Sequence, residues 1–305
     1  MKISKLFKQV IVLSTAVVMS IGLVGCGGEA ESTEVMADTE AAEATEVTAD
    51  TEAVENTEIA ADTEATEAAS TLDKDTLIVG LDDTFAPMGF KDESGEIVGF
   101  DIDLAKAMGE KLGKAIEFQS IDWTMKETEL NAGNIDFIWN GYSISDERKE
   151  QVDFSVPYLK NRQIIITLAD SDINAKADLA GKTVAAQTGS TAVDAIESEP
   201  DVMATFKDGK PVTYESNNDV LMDLEAGRVD AAVADEIIVR YYMSKKGEEK
   251  FKVLDEDFGE EEYGVGMRKG DAKMVDAFNK AYDELKAEGK LAEISTKWFG
   301  EDITC

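Results

Sequence analysis

Two parts of the sequence carry groups that could hold a small anion. Ser190 and Thr191 follow a strand-like run and Gly189, and they begin a helical pattern. Free backbone N–H groups at a helix start attract an anion, and the two hydroxyls add donors. Arg148 carries a guanidinium whose fork can donate two parallel hydrogen bonds to a carboxylate. Both interpretations have an alternative, since Ser and Thr also cap helices and the polar run 146–150 is also typical of a surface arginine.

Motifs for catalysis and cofactor binding fail at their critical positions. Residues 181–183 resemble the end of a phosphate-binding loop, but position 176 holds lysine instead of the required glycine. Residues 81–84 do not form a dinucleotide fingerprint, and Asp255 and Asp257 lack the glycine and glutamate of an EF-hand. A carboxylate pair for glycoside chemistry stays open, because its separation is a three-dimensional quantity. We therefore expect no cofactor, no metal and no catalytic residue.

Composition excludes several further classes of protein. The 305 residues carry 64 acidic and 30 basic side chains and no histidine, for a formal charge of -34. Such an acidic chain lacks the positive surface that binds nucleic acid. Without histidine there is no imidazole base or His-ligated zinc, and two cysteines cannot form a disulfide framework.

Residues 1–25 predict a secretory signal peptide. Three lysines precede an apolar run that continues to Ile21, and small residues follow it. A membrane-spanning helix is the alternative, but Ser14, Thr15 and Ser20 interrupt the run. It is shorter than the roughly 18–20 apolar residues that a span needs.

The end of this segment, residues 23–26, resembles the lipobox of bacterial lipoproteins. The resemblance implies that cleavage precedes Cys26, and that its thiol and new amine receive acyl chains. Several acyl chains would anchor the protein to the outer face of the cell membrane, or to the periplasmic side if an outer membrane exists.

Residues 26–72 predict a disordered tether behind the lipidated cysteine. The pentapeptide Ala-Asp-Thr-Glu-Ala recurs with a period of twelve, at residues 37–41, 49–53 and 61–65. From 27 to 72 there are 14 acids and no base. So little apolar surface cannot offset the ordering entropy, and like charges extend the chain. A calcium-binding or partner-binding tail is the alternative.

Residues 73–305 alternate strand-like runs with helical patterns. Strands are expected at 76–80, 135–138, 164–166, 183–186 and 229–233, and the principal helices are expected from Asp101 to near Gly113, around 220–224, over 236–243 and around 275–285. This alternation predicts an α/β fold with largely parallel sheets flanked by helices.

The order of several short motifs in this body resembles the amino-acid-binding extracellular solute-binding proteins that feed ABC importers. The resemblance runs through nearly all of residues 73–300. Its anchors are residues 82–87, 99–104, 141–148, 187–191, 227–235 and 263–271. It implies a type II periplasmic-binding-protein fold, in which each lobe is a mixed, mainly parallel sheet flanked by helices, and a receptor that binds an amino acid without turning it over.

The resemblance also implies a role for each site residue. A free amino acid is a zwitterion, so Arg148 would clamp its carboxylate, with Ser190 and Thr191 gripping it from the second lobe. Asp235 would take the ammonium group, although it could equally be the N-cap of the following helix. Asn140, Gly141 and Ser143 would complete the polar contacts, and many relatives carry a small Ser or Gly at position 140. The full set of predicted amino-acid-binding residues is Asp82, Phe85, Trp123, Asn140, Gly141, Ser143, Arg148, Thr188, Ser190, Thr191 and Asp235.

The side chain of the ligand would meet a different group of residues. Phe85 and Trp123 match the aromatic positions that cover it, with ordinary core packing as the alternative. Asp82 matches a position that meets the end of basic or amide side chains. A polar L-amino acid is therefore the expected ligand, without a choice among glutamine, arginine and lysine.

The predicted architecture is a clamp. One lobe would comprise residues 73–161 and 258–305, the other 162–257, and two crossing strands would form the hinge. The expected partners are a membrane permease and its ATPase, with the protein itself a monomer. The alternatives are a small-molecule lyase or dehydratase on the same scaffold, and a sensory amino-acid-binding module.

Overall fold

The computed structural model describes residues 70–305. The predicted signal peptide, Cys26 and nearly all of the acidic tether lie outside the described residues. The tether was expected to extend to residue 72, but Ser70 and Thr71 are buried against the body. The Ser70 hydroxyl and the Thr71 N–H donate to the two carboxylate oxygens of Asp271, each over 2.6 Å. The ordered body therefore begins before the predicted boundary.

The elements follow one another in close alternation. In chain order they are β1 (Thr76–Leu81), β2 (Thr84–Phe85), β3 (Gly89–Lys91), β4 (Ile97–Val98), α1 (Phe100–Leu112), β5 (Ala115–Ser120), α2 (Lys126–Ala132), β6 (Phe137–Ile138), α3 (Asp146–Gln151), β7 (Val152–Phe154), β8 (Leu159–Leu168), β9 (Val184–Gln187), α4 (Thr191–Glu197), α5 (Pro200–Met203), β10 (Val212–Tyr214), α6 (Asn217–Glu225), β11 (Ala231–Asp235), α7 (Glu236–Lys246), β12 (Phe251–Tyr263), β13 (Gly266–Arg268), α8 (Ala272–Ala287) and α9 (Lys290–Phe299). Short 3-10 helices lie at Thr71–Asp73, Trp123–Met125, Lys176–Leu179 and Glu248–Lys250.

Two five-stranded sheets organise the described residues. The first has the order β5-β1-β6-β13-β7, and the second has the order β10-β9-β11-β8-β12. We call the first sheet with α1–α3, α8 and α9 the first lobe, and the second sheet with α4–α7 the second lobe. A small antiparallel sheet, β2-β3-β4, follows the first strand of the first lobe.

The chain passes between the lobes along two neighbouring connections. It leaves the first sheet after β7, enters the second at β8, and returns from β12 to β13. The connections are joined by backbone hydrogen bonds from Ser155 to Val265 and from Tyr158 to Tyr263, of 3.0 and 2.9 Å. The predicted lobe boundaries, after residues 161 and 257, fall within β8 and β12 and stay predictions.

Each sheet is covered on both faces, so its strands alternate between two cores. In β1, Leu77 and Val79 belong to the largest apolar cluster, and Ile78 packs against a separate one. In β11, Ala232 faces the largest cluster and Val233 faces a third. This double burial explains why the strands are continuous apolar runs in the sequence.

The α/β, two-lobed fold class with mixed sheets is confirmed, but the sheets are not mainly parallel. Within residues 70–305, each large sheet has two parallel and two antiparallel strand pairs. The antiparallel pairs come from the strands that cross or return between the lobes, namely β8, β12 and β13. Strand–helix alternation in the sequence cannot reveal this, because these strands pair with distant partners.

Individual elements differ from expectation mostly at their ends. Helix α1 ends at Gly113, as predicted, with this glycine in the left-handed conformation at φ 67°. The strand expected at 229–233 begins two residues later, because Asp230 instead closes a turn with Thr183. Strand β6 is reduced to two residues, since the Asp136 side chain accepts from the Ile78 N–H at 3.0 Å.

No helix within residues 70–305 is long and apolar enough to cross a membrane. The same part of the chain has no group of three or more Cys, Asp or Glu side chains placed to hold a metal ion. Cys305 is a free, half-buried thiol.

Candidate functional site

A nearly closed cleft with a cavity volume of about 10 Å³ lies between the two lobes. Its walls are formed by loops at the ends of strands β1, β6, β9 and β11, together with the start of α3 and α4. It is lined by Asp82, Phe85, Trp123, Asn140, Gly141, Ser143, Arg148, Gln187, Ser190, Thr191 and Asp235. Such a crevice at the strand ends is where α/β proteins usually bind ligands.

Arg148 is a buried cation, not a surface arginine as the alternative interpretation had it. Its side chain lies in the first lobe on α3, whose start is capped by the Ser145 hydroxyl accepting from the Arg148 N–H at 3.2 Å. Its guanidinium donates to the carbonyls of Ser143 at 2.9 Å and Gly189 at 3.3 Å, and lies 4.5 Å from the Tyr142 ring centre. No carboxylate of residues 70–305 forms an ion pair with it, so its direct contacts are two carbonyl dipoles and an aromatic ring.

The loop after β6 lines the cleft because a buried carboxylate holds its backbone. Asp101, in the first turn of α1, accepts from the Gly141 N–H at 2.8 Å and from the Tyr158 hydroxyl at 3.0 Å. Burial raises the pKa of Asp101 to about 7, against these two hydrogen bonds. Gly141 has φ 58°, and a Cβ there would lie 2.7 Å from the Phe85 ring, so only glycine fits. The Asn140 amide donates to the Gly89 carbonyl at 3.3 Å.

The far end of the cleft holds an acid and an amide from opposite lobes. Asp82 follows β1, and its Oδ1 accepts from the Thr84 hydroxyl at 2.7 Å. Its Oδ2 accepts from Gln187 Nε2 of the second lobe at 2.8 Å. Asn217 fixes the orientation of the Gln187 amide by donating to its Oε1 at 2.8 Å. Burial raises the pKa of Asp82 despite these bonds.

Phe85 and Trp123 are buried aromatic walls of the same cleft. Trp123 belongs to a 3-10 helix capped by Asp122, and its ring meets Tyr142 edge-on, with 5.9 Å between centres. Phe85 packs beside Gly141 and contributes to the largest apolar cluster. Core packing and a cleft-facing position therefore coexist for Phe85.

In the second lobe, Ser190 and Thr191 begin α4, but Ser190 does not cap it with its side chain. Instead the Ser190 hydroxyl donates to the Gln187 carbonyl at 2.8 Å. The Thr191 hydroxyl donates to Ser143 of the first lobe at 3.2 Å. Both side chains lie in the cleft wall, so the capping alternative for Ser190 is wrong.

Asp235 ends β11 and precedes α7, and its side chain also makes no cap bond. Its Oδ1 accepts from Asn161 Nδ2 at 2.6 Å, Gln163 Nε2 at 3.1 Å and the Tyr263 hydroxyl at 2.7 Å. Burial, followed by repulsion from Glu261, raises the pKa of Asp235 to about 8. The N-cap alternative is therefore wrong in its chemistry, although the residue occupies that position in the chain.

A second buried cation joins the lobes beside the cleft. Lys126 Nζ donates to the Trp123 carbonyl and to the Gly189 carbonyl, each over 3.1 Å. Arg148 donates to the same Gly189 carbonyl. Burial and the Arg148 charge lower the pKa of Lys126. The turn before α4 is thus held by two cations of the first lobe.

Ten of the eleven predicted site residues line one cleft, and Thr188 does not. Thr188 is half-buried, and its N–H donates to the Tyr214 carbonyl at 2.8 Å. Sequence reasoning gave no role to Gln187, Asp101, Lys126 or Glu261. Gln187 and Asp101 lie inside the motifs at 187–191 and 99–104, so the sequence indicated their positions. It did not indicate the residues to which they are hydrogen-bonded.

The chain matches the family model described as "Bacterial extracellular solute-binding proteins, family 3" over residues 77–301. It is 33% identical over 228 residues to the arginine-binding extracellular protein ArtP of Bacillus subtilis (strain 168), covering 74% of this chain and 87% of ArtP. It is 31% identical over 235 residues to the L-cystine-binding protein TcyJ of Escherichia coli (strain K12), covering 76% and 85%.

Among solved structures, it resembles an ABC uptake transporter substrate-binding protein from Streptococcus pneumoniae with bound histidine. The TM-score is 0.74 at 40% identity, and the match covers 75% of this chain and 94% of the other. The three proteins named here are binding proteins of amino acids, in line with the expectation of no catalysis.

Proposed function

Because the chain belongs to the bacterial extracellular solute-binding proteins of family 3, we propose that it captures a polar L-amino acid outside the cell for an ABC importer. The observation that carries this proposal is the placement of Arg148 and Asp235 in one interlobe cleft. Buried charges of opposite sign in one cavity suit a zwitterion, whose two charged groups need opposite partners.

The carboxylate of the ligand would bind Arg148, with the Ser190 and Thr191 region completing its contacts from the other lobe. A charge-assisted, two-pronged bond of this kind is stronger than a neutral hydrogen bond. The ammonium group would bind Asp235, close to Ser143. These assignments are supported by the burial of Arg148 among carbonyl oxygens, without an ion-pair partner in residues 70–305, and by the acidic surroundings of Asp235.

The side chain of the ligand would extend between Phe85 and Trp123 toward Asp82. Asp82 supplies an acceptor and Gln187 supplies an amide at this end, so a cationic or amide side chain suits it. The relatives named above bind arginine, cystine or histidine, which fits a polar ligand without choosing one.

Capture would proceed by closure of the lobes. Ligand contacts from both lobes favour the closed state, since a ligand shifts an equilibrium only by its differential affinity for the two states. Hinge closure around a ligand is the general behaviour of periplasmic binding proteins. The closed form would then deliver the amino acid to the permease and its ATPase.

The test is a thermal-shift screen of the purified chain against the 20 standard amino acids. We expect a rise in melting temperature with one or a few polar L-amino acids, because ligand binds only the folded state. The rival lyase function predicts product formation from the same ligand, which chromatography after incubation would reveal. No shift with any amino acid would overturn the proposal.

The protein is extracellular or periplasmic, as its family implies, and we propose that lipid on Cys26 anchors it there. The signal-peptide pattern and the residues before Cys26 support this. Cys26→Ser should release the protein from the membrane fraction into the soluble extracellular or periplasmic fraction. Cys305→Ser serves as the matched control and should leave membrane association unchanged; equal retention of both variants would contradict the anchor.

A further inference from the structure

The acid that lines the cleft is not alone. Glu261 lies on β12, half-buried, and its carboxylate oxygen reaches the same donors that bind Asp235. Asn161 Nδ2 donates to Asp235 Oδ1 and to Glu261 Oε1, each over 2.6 Å. Gln163 Nε2 also reaches both oxygens, at 3.1 and 2.9 Å. Two carboxylates that share two amide nitrogens must lie close together.

The remaining neighbours supply hydrogen bonds but no compensating cation. Tyr263, on β12, donates to Asp235 at 2.7 Å, and Ser143, in the loop before α3, donates to Glu261 at 2.7 Å. Thr191, on α4, donates to Ser143. No lysine or arginine within residues 70–305 forms an ion pair with either acid.

Several charged groups lie near the pair, and the exposed side chains of Lys160, Glu260 and Glu262 line an open pocket together with Glu261. Arg162 of β8 is paired with Glu236, the first residue of α7, at 2.6 Å, and with Asp257 at 3.1 Å. On the first lobe, Arg148 is bound to the carbonyls of Ser143 and Gly189. No ion pair within residues 70–305 therefore offsets the electrostatic repulsion between the two adjacent carboxylates.

We propose that Asp235 and Glu261 share one proton in the ligand-free protein, and that binding of an amino-acid ammonium group at Asp235 releases this proton to solvent. Two carboxylates in contact, one of them buried, cannot both ionise readily, so the pair titrates as a unit. A cation placed beside Asp235 removes that restriction. The raised pKa of Asp235, caused by burial and by Glu261, agrees with this arrangement.

This inference rests on the proposed function and adds a consequence for uptake. Because one proton leaves as the ligand binds, affinity rises with pH below the pKa of the pair and becomes constant above it. Release of one full proton corresponds to a change in Kd of about 10-fold per pH unit. Glu261 is a positioning residue here, since it acts on the ligand through Asp235.

The first test measures the proton count directly. Titration calorimetry of the purified chain with L-arginine, and separately with L-glutamine, is carried out at pH 7 in phosphate and in Tris, which differ in ionisation enthalpy. We expect the observed binding heats to differ between the two buffers, by an amount that corresponds to about 0.5–1 proton released per ligand bound. Binding with equal observed heats in the two buffers, which means no proton release, overturns the pair while leaving the proposed function intact.

The second test assigns the proton to Glu261. Glu261→Gln retains an oxygen that can accept from the same donors, but it removes the competing charge. We expect this variant to lose the proton release and the pH dependence of Kd between pH 6 and 8. Glu262→Gln is the matched control, because Glu262 is exposed on the same strand and the substitution removes the same charge. This variant should behave as wild type.

A third measurement needs no ligand. Carbon-13 NMR with the carboxyl resonance of Asp235 assigned should show that this acid titrates above pH 6 in the wild-type chain, and its titration should move down by at least one pH unit in Glu261→Gln. The raised titration of Asp101 should stay unchanged in that variant. If Asp235 of the wild type titrates below pH 5.5, the shared proton does not exist. If no amino acid binds, the proposed function fails, and this titration still decides whether the pair exists.

Discussion

Arg148 and the pair Asp235–Glu261 lie on the walls of one cleft, yet they carry their buried charges in opposite ways. The Arg148 guanidinium is surrounded by carbonyl oxygens and the Tyr142 ring, which favour its positive charge. Asp235 is surrounded by amide and hydroxyl donors, which favour a negative charge, and also by Glu261, which opposes it.

The difference teaches that only one side of the cleft is fully prepared for its ligand. Arginine keeps its charge at any physiological pH, so the proposed carboxylate subsite is ready before the ligand arrives. The acidic side must first lose a proton. The affinity for the ligand therefore depends on pH through the Asp235–Glu261 pair and not through Arg148.

The largest effect on ligand affinity is expected when the positive charge of Arg148 is removed. Arg148→Met keeps an unbranched apolar stem but deletes the charge, leaving the ligand carboxylate buried without its partner. We expect the Kd for the amino acid to rise about 100-fold or more, which corresponds to about 3 kcal/mol. Calorimetry at pH 6 and pH 8 checks this, and the factor should be similar at both pH values.

Arg228→Met is the control for this change, because Arg228 is exposed and pairs with Asp223 on the surface of the second lobe. It should bind as wild type does. If Arg148→Met loses less than threefold in affinity, Arg148 does not hold the carboxylate.

A smaller effect, selective for a cationic ligand, is expected from the substitution of Asp82, the buried acid at the far end of the cleft. Asp82→Asn keeps an oxygen for Thr84 but removes the charge that would face a cationic side chain. We expect about 10-fold weaker binding of L-arginine, roughly 1.4 kcal/mol, and less than threefold change for L-glutamine. Parallel calorimetric titrations with both ligands measure the ratio.

Asp83→Asn provides the comparison, since Asp83 pairs with Lys91 and Ser120 outside the cleft. It should leave both affinities unchanged. Equal losses for arginine and glutamine in Asp82→Asn would mean that Asp82 acts through its interlobe bond with Gln187 rather than on the ligand side chain.

Both sides of the cleft were partly visible in the sequence, for different physical reasons. Asp235 and Ser190 follow apolar strand runs, so their place at strand ends is a local property of the chain. Arg148 needed the family motif, because its polar neighbours are typical of a surface while its burial depends on Tyr142 and on Gly189 from the other lobe.

What could not be read from sequence are the partners that are distant in the chain. Glu261 is 26 residues beyond Asp235 and lies in a run of three glutamates, of which 260 and 262 are exposed. Only the register of β12 against β8 brings it to Asn161. The antiparallel half of each sheet escaped prediction for the same reason, since register and pairing are long-range properties.

The smallest effect is expected from the substitution of Lys126. It separates two roles of Arg148, binding the ligand carboxylate and holding the Gly189 carbonyl of the other lobe. Lys126 and Arg148 both donate to the Gly189 carbonyl across the lobes, but Lys126 does not line the cleft. Lys126→Met keeps the stem beside Trp123 and removes this interlobe bond, together with the bond to the Trp123 carbonyl and the ion pair with Glu127 inside the first lobe. We expect about threefold weaker binding, roughly 0.7 kcal/mol, measured by calorimetry, because a single hydrogen bond to a carbonyl stabilises closure modestly. If Lys126→Met costs as much as Arg148→Met, the shared hold on Gly189 rather than a ligand carboxylate explains both losses. A loss confined to Arg148→Met leaves the carboxylate as the group that distinguishes the two cations.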